Sequence, residues 1–512
     1  MFRRQPRQTP PPQVLVIGDE VESVITAVSA ARCGARVCLL KPFAQGWIGG
    51  LSTRGGLSYM DITWDLVPPL FAEFLKRAQV KRVALEPRRA DRVLRQMLRQ
   101  AGVRVETGIV QHAHCNESGR LNGLTLTDGR TLQAQIYLDT TPDGDIARLA
   151  GVPYIRGLGG LFGKNNDLLG ISPVFRITGV DPWALAAFET RLRQHPDCAT
   201  LLREAMPHHP TDWIDSYVTR NPICPRREDY LDILNPALGV FYHLCRHQNA
   251  SSYSAAPVWI DGGNISRLSD RALGFNGMVS RAKDWNHALA LSHGAEIPPQ
   301  LREEMTLFEE FLKTEGAFPK ARVIPPQAIY VRQTLNLQAR LNQSGANLLS
   351  GGVDEADAIG TFSYWFDFRG INLFEKAPDD YPLPKPVFNV GLHCAFPKNP
   401  ALDNLAFVSR SGGYSPVAQG ACRIVQHQAL LGEAIGIASA LACLEDSPLQ
   451  NIPAARIRSI LQQRSKTPLS PPSGKATWTT ERIQQSKLLQ QDIAIIEALQ
   501  SLTEGVLENA SC

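Results

Sequence analysis

The sequence contains no cysteine pair with the C-x-x-C spacing that structural zinc sites and iron–sulfur clusters use. Its 10 cysteines stand singly among 512 residues, at positions 33, 38, 115, 198, 224, 245, 394, 422, 443 and 512. Scattered single cysteines are typical of a protein that keeps its thiols reduced. We therefore expect neither a zinc nor an iron–sulfur site, and we expect a cytoplasmic protein.

Long hydrophobic runs are also missing. The first apolar run, Val14–Ile17, is far shorter than the ~20 residues that cross a bilayer. The preceding segment, 1–13, has arginines followed by consecutive prolines and lacks the apolar core of a signal peptide. We expect a disordered tail at 1–13 and no association with a membrane.

The chain also lacks a large excess of charge of one sign. Lys and Arg number 53 against 49 Asp and Glu, which gives a formal charge of +4. No basic run interleaved with aromatic residues stands out, so we expect no nucleic-acid partner.

Histidines in the middle of the chain raise the question of a metal. His243 and His247 have the i, i+4 spacing that puts two side chains on one face of a helix, and His208 and His209 precede them. The sequence places no third ligand beside either pair, so we expect no metal site.

Two short apolar runs flank a helical pattern near the start of the chain. Val14–Ile17 and Ala35–Leu40 are typical of buried parallel strands. The segment Val21–Cys33 has the apolar spacing of a helix, and Gly34 is a suitable cap. This order predicts a βαβ unit of the kind that binds dinucleotides.

The phosphate-binding glycines of such a unit are mostly absent. Where G-x-G-x-x-G is expected, the chain reads Gly18-Asp19-Glu20-Val21-Glu22-Ser23, and Lys41 stands where an acidic residue would bind the ribose. Glu20 brings a negative charge to the place where backbone should approach a pyrophosphate. We hypothesise that Glu20 and Lys41 approach each other and partly fill the adenosine end of the site. The double change Glu20→Gly with Lys41→Glu should then raise dinucleotide affinity.

Three later segments carry further motifs. They are the double-glycine loop Gly49-Gly50-Leu51-Ser52-Thr53-Arg54-Gly55-Gly56-Leu57, the turn Tyr137-Leu138-Asp139-Thr140-Thr141-Pro142-Asp143-Gly144-Asp145, and the segment SGGYSPVAQGACRIVQHQALLGEAIG from Ser411 to Gly436. In this order they resemble the FAD-dependent oxidoreductases of the glutathione-reductase-like superfamily, over roughly residues 14–175 and 320–445.

The resemblance implies FAD as a non-covalent cofactor, and it implies which residues bind it. The double-glycine loop would lie against the flavin and its pyrophosphate, Val110 near the adenine, and the start of the last helix near the flavin pyrimidine. The residues that it assigns to FAD are Gly18, Gly49, Gly50, Thr53, Gly55, Gly56, Val110, Asp139, Asp143, Gly144, Asp145, Gly412, Gly413, Arg423, Gly432 and Ala434.

Two of these motifs also have a purely structural interpretation. Pro142 replaces a glycine of the second FAD signature, and Asp143 and Asp145 would equally suit an acidic helix start, with Asp143 as the cap. The glycine- and alanine-rich last helix would equally suit tight packing without a ligand.

Substrate contacts are predicted in the segment that follows the inserted domain. Arg332 resembles an arginine of a family segment on the substrate side, although Leu335 replaces a second arginine there. Our candidate catalytic or substrate-binding residues are Arg332, Asp367, Arg369 and His393, and we name no acid or base among them.

We therefore predict an α/β fold with a Rossmann-like FAD-binding domain, an inserted mixed α+β cap domain and a C-terminal helical tail. The predicted boundaries are 14–175 and 321–445 for the FAD-binding domain and the return of the cap sheet, 176–320 for the cap, and 446–512 for a linker and helices over 479–509.

We predict an FAD-dependent oxidoreductase whose small-molecule substrate and electron acceptor are unidentified. The sequence does not decide whether the chain forms a homo-oligomer. The alternative is a flavin-free homologue that acts as a binding or scaffold protein. An RNA-modifying flavoprotein is a third reading that the charge pattern disfavours.

Overall fold

The computed structural model describes residues 11–42, 46–162, 167–207, 211–219, 230–231, 236–247, 249, 251, 253, 256–371, 382–465, 469 and 471–507. Most of the predicted N-terminal tail, His208 and His209, and part of the predicted linker lie outside the described residues.

The strands are β1 (Val14–Ile17), β2 (Val37–Lys41), β3 (Arg104–Thr107), β4 (Val110–Cys115), β5 (Leu121–Leu126), β6 (Thr131–Leu132), β7 (Ile136–Asp139), β8 (Tyr154–Arg156), β9 (Ile171–Ser172), β10 (Phe175–Thr178), β11 (Tyr230–Leu231), β12 (Val258–Ser269), β13 (Ala272–Ser280), β14 (Arg322–Ile324), β15 (Tyr330–Val331), β16 (Leu335–Leu337), β17 (Ala358–Ser363), β18 (Val387–Gly391), β19 (Leu405–Phe407) and β20 (Val506–Leu507).

The helices are α1 (Val21–Arg32), α2 (Pro69–Arg77), α3 (Pro87–Gln100), α4 (Asp145–Leu149), α5 (Pro182–Arg193), α6 (Cys198–Ala205), α7 (Thr211–Thr219), α8 (Pro236–His247), α9 (Trp285–Ser292), α10 (Pro299–Thr314), α11 (Gly345–Leu349), α12 (Pro416–Cys422), α13 (Val425–Glu445), α14 (Ala454–Arg464), α15 (Thr480–Gln485) and α16 (Lys487–Ser501).

A five-stranded parallel sheet with the order β19-β7-β1-β2-β3 forms the centre of the first unit. Its middle strand β1 is buried along its whole length, as its apolar run predicts, and Val14 pairs with both Val37 and Ile136. Gln13, which the sequence assigned to the tail, already hydrogen bonds to the backbone of Arg36. The predicted α/β fold with a parallel sheet is confirmed. The loops that follow β1 and β7 meet at one edge, where ligands bind in sheets of this kind.

Helix α13 packs along α1 through small residues. An added Cβ at Gly432 would lie 2.5 Å from the Thr26 hydroxyl, and one at Gly436 would lie 2.5 Å from the Thr26 carbonyl oxygen. Among the described helices, α13 is long and apolar enough to cross a membrane by length and composition, but 89% of its apolar window is buried inside the protein. Its composition is therefore explained by its place in the core.

The cap domain is built on an antiparallel sheet with the order β11-β12-β13-β10-β14, which β9 and β15 extend. Helices α5, α8 and α10 cover it, and the ring of Phe308 of α10 packs at a tilt against Phe175 and Phe275 of the sheet. The sheet begins at β9, a few residues before the predicted start of the cap at 176, and it returns through β14 and β15, within the segment assigned to the return of the cap sheet.

The C-terminal helices pack on the body of the protein. Asp492 of α16 is fully buried and accepts hydrogen bonds from the Gly345 amide at 2.9 Å, the Val417 amide at 2.9 Å and the Ser415 hydroxyl at 2.6 Å. The prediction that helices extend to residue 509 is wrong. Helix α16 ends at Ser501, and β20 then pairs with β8.

Replacing Asp492 by alanine is expected to lower the free energy of unfolding by about 2–4 kcal/mol, because three buried donors lose their acceptor. Equilibrium urea unfolding measures this. The control is Glu497→Ala on the exposed side of the same helix, which should change stability by less than about 0.5 kcal/mol. Equal losses in the two variants would contradict an anchoring role for Asp492.

Candidate active site

The turn after β1 is closed by a glycine, as predicted. Gly18 has φ +144°, and an added Cβ would lie 2.6 Å from the Thr140 carbonyl oxygen and 2.8 Å from the Ser23 hydroxyl. Thr140 donates a hydrogen bond to Ser23 at 2.8 Å, which ties the start of α1 to the end of β7. Gly18 and Ser23 therefore provide the close packing of a dinucleotide turn.

Glu20 lies directly before α1, and its carboxylate reaches into the double-glycine loop. Its Oε2 accepts a hydrogen bond from the Leu51 amide at 2.8 Å, and a Cβ at Gly50 would collide with the same carboxylate. The Glu20 Oε1 lies 4.0 Å from Nη2 of Arg54. The cation that the structure pairs with Glu20 is thus Arg54.

The hypothesis that Glu20 pairs with Lys41 therefore needs correction. Lys41 is buried and acts electrostatically on Asp19, which also forms an ion pair with Arg54. The sequence hypothesis overlooked Arg54 because it lies in the glycine loop, whose approach to α1 is a tertiary contact.

The double-glycine loop owes most of its glycines to packing. Gly49 has φ +112° and donates to the Asp19 carbonyl at 2.7 Å, while Thr53 donates to the Gly50 carbonyl at 3.2 Å. Cβ atoms at Gly55 and Gly56 would clash with the carbonyl oxygens of Leu51 and Val174. The loop is consequently compact and packed against the first strands of the cap.

The second FAD signature is organised by Asp139. This buried carboxylate accepts hydrogen bonds from the amides of Thr141, Ile146 and Ala147 at 3.0, 2.8 and 2.9 Å, and from the Thr141 hydroxyl at 2.7 Å. It therefore holds the turn and the start of α4, where Gly144 adopts φ +58°. The structural interpretation expected Asp143 to cap this helix, but the first amides of the helix donate to Asp139.

Asp143 is fully buried beside Arg410. It accepts from the Thr334 hydroxyl at 2.5 Å, from Nη2 of Arg410 at 2.8 Å and from the Ser292 hydroxyl of the cap. Asp145 begins α4 and pairs with Arg148 at 2.5 Å. Both carboxylates assigned to FAD are thus engaged by protein groups in this structure.

A cavity lies at the carboxyl edge of the parallel sheet, between this sheet and the cap. Its wall includes Glu20 and Leu51, residues 59–61 beyond the glycine loop, Pro142, and Tyr330 and Arg332 of the cap return. Arg410 and the start of α13, with Arg423, Ile424 and Val425, complete it. The three predicted motifs therefore converge on one space.

Arg423 is the central cation of this cavity. It forms an ion pair with Asp367 at 2.5 Å, and its Nη1 donates to the Tyr330 hydroxyl at 2.6 Å. Burial disfavours the Asp367 carboxylate, but the guanidinium groups of Arg423, Arg332 and Arg369 outweigh burial and hold its pKa below the usual value.

Arg332 is fully buried, and its guanidinium stacks 4.5 Å from the centre of the Tyr330 ring. Its Nη1 donates to the Gly170 carbonyl at 2.7 Å and to the Ser172 hydroxyl at 3.0 Å. Burial lowers the pKa of Arg332 to about 10. Its charge therefore reaches the cavity while most of its donors hold the cap in place.

The remaining substrate candidates divide. Arg369 joins the same cluster and donates to Asp261 of the cap at 3.0 Å. His393 does not: it lies with Arg340 and Asp357 in a separate surface pocket, and burial lowers its pKa. The structure brings Arg332, Asp367 and Arg369 together and places His393 in a different pocket.

Several residues assigned to FAD lie in packing contacts instead. Gly432 contacts α1, Ala434 is part of the main core, and Val110 begins β4 against the core on the other face of the sheet. Cβ atoms at Gly412 and Gly413 would clash with the Tyr414 ring and with Ala339. The tight-packing interpretation of this glycine-rich segment accounts for these positions, while Arg423 and the start of α13 face the cavity.

Asp61 is the acidic group of the cavity that the sequence analysis missed. It lines the cavity, hydrogen bonds with Tyr364 and faces Asp367. Burial and the neighbouring Asp367 raise its pKa to about 6. In the sequence, the one feature that could have indicated Asp61 is its position four residues after Leu57, where the glycine loop ends.

The paired histidines lie side by side on one helix. The rings of His243 and His247 lie 4.5 Å apart on α8, as their spacing predicts. No group of three or more potential metal ligands occurs among the described residues.

A parallel sheet of this order, with a glycine-rich loop and a helix start around one cavity, is the arrangement in which proteins bind dinucleotides. The profile of the FAD dependent oxidoreductase family matches residues 13–461, so the chain belongs to that family. The protein is accordingly an FAD-dependent oxidoreductase, and FAD is its cofactor. No curated protein sequence matches the chain significantly.

Solved structures are only distantly similar. The flavin-dependent brominase Bmp2 shares 9% identity at a TM-score of 0.39, over 88% of this chain and 83% of that chain. A geranylgeranyl bacteriochlorophyll reductase-like protein from Thermoplasma acidophilum shares 11% identity at 0.38, over 95% and 99%. The match to HlmI, with 16% identity and a TM-score of 0.19, spans 25% of this chain and 34% of that chain. None of them indicates a substrate for this protein.

The residues present fit the flavin end of FAD. Nε of Arg410 and Nε of Arg423 are buried and have no hydrogen-bond partner among the described residues, and both side chains line the cavity. Helix α13 begins without a side-chain cap, and Ile424 and Val425 at its start line the same cavity. At the pyrophosphate end, however, Glu20 occupies the loop and already uses the Leu51 amide.

Proposed function

We propose that a small-molecule substrate is oxidised or reduced in the cavity between the parallel sheet and the cap. The observation that supports this most directly is the pair of unpartnered guanidinium Nε atoms, of Arg410 and Arg423, in the wall of the cavity. Bound FAD would supply hydride or electron transfer there. The electron acceptor is a second partner, and the residues of the cavity do not identify it.

The chain's own residues would contribute binding, orientation and proton transfer. Arg423 and the amides at the start of α13 would hold negative charge that develops on the flavin pyrimidine. Tyr330, which accepts a hydrogen bond from Arg423, and Arg332, which stacks on Tyr330, line the same cavity and would orient the substrate. Asp61 is placed to accept or donate a proton in the same cavity, with Tyr364 holding its carboxyl group.

The proposed function is tested by the purified protein itself. Protein supplied with excess FAD and then desalted should keep a visible flavin spectrum, and denaturation should release unmodified FAD. Anaerobic addition of a chemical reductant should bleach the flavin band, and candidate acceptors should restore it. Protein that retains no flavin after reconstitution would contradict the proposal.

Replacing Asp61 by asparagine should remove a titration from the spectrum of bound FAD. Since the pKa of Asp61 is raised to about 6, its carboxyl group gains negative charge as the pH rises through that value. We expect the flavin absorption of the unmodified protein to shift with an apparent pKa near 6 and that of Asp61→Asn to stay constant. The control is the exposed neighbour Asp65→Asn, which should keep the titration. A titration that survives in Asp61→Asn would contradict the assignment.

A second candidate function is a flavin-free binding protein. The specific observation that favours it is the Glu20 carboxylate in the glycine loop. Under this alternative, neither the unmodified protein nor Glu20→Gly would take up FAD or riboflavin.

We also propose a cytoplasmic location. Eight cysteines within the described residues are unpaired, which supports a reducing environment. Thiol titration of the denatured protein without a reductant should detect all 10 cysteines. Light scattering coupled to gel filtration would decide whether the chain forms a homo-oligomer.

A further inference from the structure

Glu20 stands in the position where the fold places an anion. In βαβ units that bind dinucleotides, the pyrophosphate lies at the N-terminus of the first helix, against glycine backbone. Here the Glu20 carboxylate lies directly before α1, in contact with Gly50 and 2.8 Å from the Leu51 amide. A side-chain carboxylate thus already makes the contacts that a phosphate oxygen would make.

We propose that Glu20 is an internal competitor of the FAD pyrophosphate, so that FAD binds fully only when the Glu20 carboxylate leaves the glycine loop or is protonated. This inference rests on the proposed function, because it concerns how the same site takes up its cofactor. Glu20 would thereby regulate how readily the protein takes up FAD.

The competition has a steric and an electrostatic part. The carboxylate fills the space beside Gly50, where only a residue without Cβ leaves room for it. The Leu51 amide cannot donate to Glu20 and to a phosphate oxygen with the same geometry. Any incoming ligand must therefore displace Glu20 from its partners.

The charges around Glu20 also oppose the binding of a pyrophosphate. Its neighbours are Asp19 and Glu22 on the same turn, Arg54 from the glycine loop and Arg410 from the segment after β19, while Lys41 acts on Asp19. Burial and Asp19 raise the pKa of Glu20, and burial raises the pKa of Glu22 to about 8. A pyrophosphate brought to this turn would raise both pKa values further, because it adds negative charge beside them.

The sign of the pH dependence follows. If the pKa of Glu20 rises when FAD binds, binding is coupled to proton uptake, and FAD affinity increases as the pH falls. Riboflavin has the flavin ring without any phosphate, so its binding should not depend on Glu20.

The experiment compares FAD and riboflavin, titrated by fluorescence quenching into the folded full-length chain. The variants are Glu20→Gln, which keeps the shape and removes the charge, and Glu20→Gly, which removes both. Glu22→Gln is the matched control, since its raised pKa leaves Glu22 mostly protonated at neutral pH. Circular dichroism confirms that each variant is folded.

We expect Glu20→Gly to bind FAD about tenfold tighter or more than the unmodified chain, Glu20→Gln to show part of this gain, and both to bind riboflavin within about twofold of it. Glu22→Gln should change FAD affinity by less than about threefold. FAD affinity of the unmodified chain should decrease as the pH rises, and this dependence should be weaker in Glu20→Gln.

Unchanged FAD affinity in both Glu20 variants, with intact riboflavin binding, would overturn this inference and leave the proposed function standing. Failure of every variant to bind either flavin would overturn the proposed function and this inference together.

Discussion

Replacing Arg423 by methionine should abolish FAD retention and lower the free energy of unfolding by about 3–5 kcal/mol. The guanidinium pairs with Asp367 and donates to the Tyr330 hydroxyl, and its side chain is almost completely buried. Methionine fills similar volume but leaves Asp367 without its closest cation. It also removes one of the two unpartnered Nε donors of the cavity.

The stability loss is measured by urea unfolding and the FAD loss by equilibrium dialysis. Arg456→Met is the matched control, because Arg456 forms an exposed ion pair with Glu445 at the end of α13. Such pairs contribute about 0–1 kcal/mol, so this variant should unfold almost like the unmodified chain and keep its FAD. Normal FAD retention in Arg423→Met would exclude Arg423 from the flavin end of the site.

Replacing Asp139 by alanine should destabilise the protein by about 3–5 kcal/mol. Its carboxylate accepts four hydrogen bonds from residues 141–147. Without it, buried amides at the start of α4 lose their acceptor, and Pro142 can no longer be held at the cavity wall. We therefore expect FAD affinity to fall together with stability.

The measurement is thermal and urea unfolding with and without FAD. Asp139→Asn retains one acceptor oxygen and should recover part of the stability, and the exposed Asp128→Ala should have almost no effect. A stable Asp139→Ala variant would show that the turn after β7 is held by other contacts.

The parallel sheet could be predicted because its signals are local. The apolar run Val14–Ile17 indicates a strand buried on both faces, and the periodicity after Gly18 indicates the helix that follows. The strand appears in the structure with the predicted bounds, and the helix begins at Val21 as predicted and ends one residue early, at Arg32. The order of the motifs along the chain then indicated the family.

The site could be predicted only in part, because its contacts join distant segments. Nothing near Glu20 in the sequence indicates that Arg54 is its cation, and nothing near Asp143 indicates that Ser292 of the cap would cover it. Asp143 was expected to cap α4, but the amides at the start of that helix donate to Asp139. His393 was misplaced because a histidine in an irregular segment carries no pattern that fixes its direction.

Glycine-rich segments were the least specific signals. Gly432 and Gly436 were equally consistent with a cofactor and with close packing, and the structure shows that they contact α1. Residue type alone cannot separate these roles, because both require the absence of a Cβ. The polar residue after such a segment, here Asp61, is the more useful indicator of chemistry.

We propose that FAD binds in the cavity between the parallel sheet and the cap, at the start of α13. The most direct measurement is a spectrophotometric titration of the unmodified chain and of Arg423→Met with FAD. We expect a saturable change of the flavin spectrum at one FAD per chain in the unmodified protein and none in Arg423→Met. Identical titrations of the two proteins, or no spectral change in either, would contradict it.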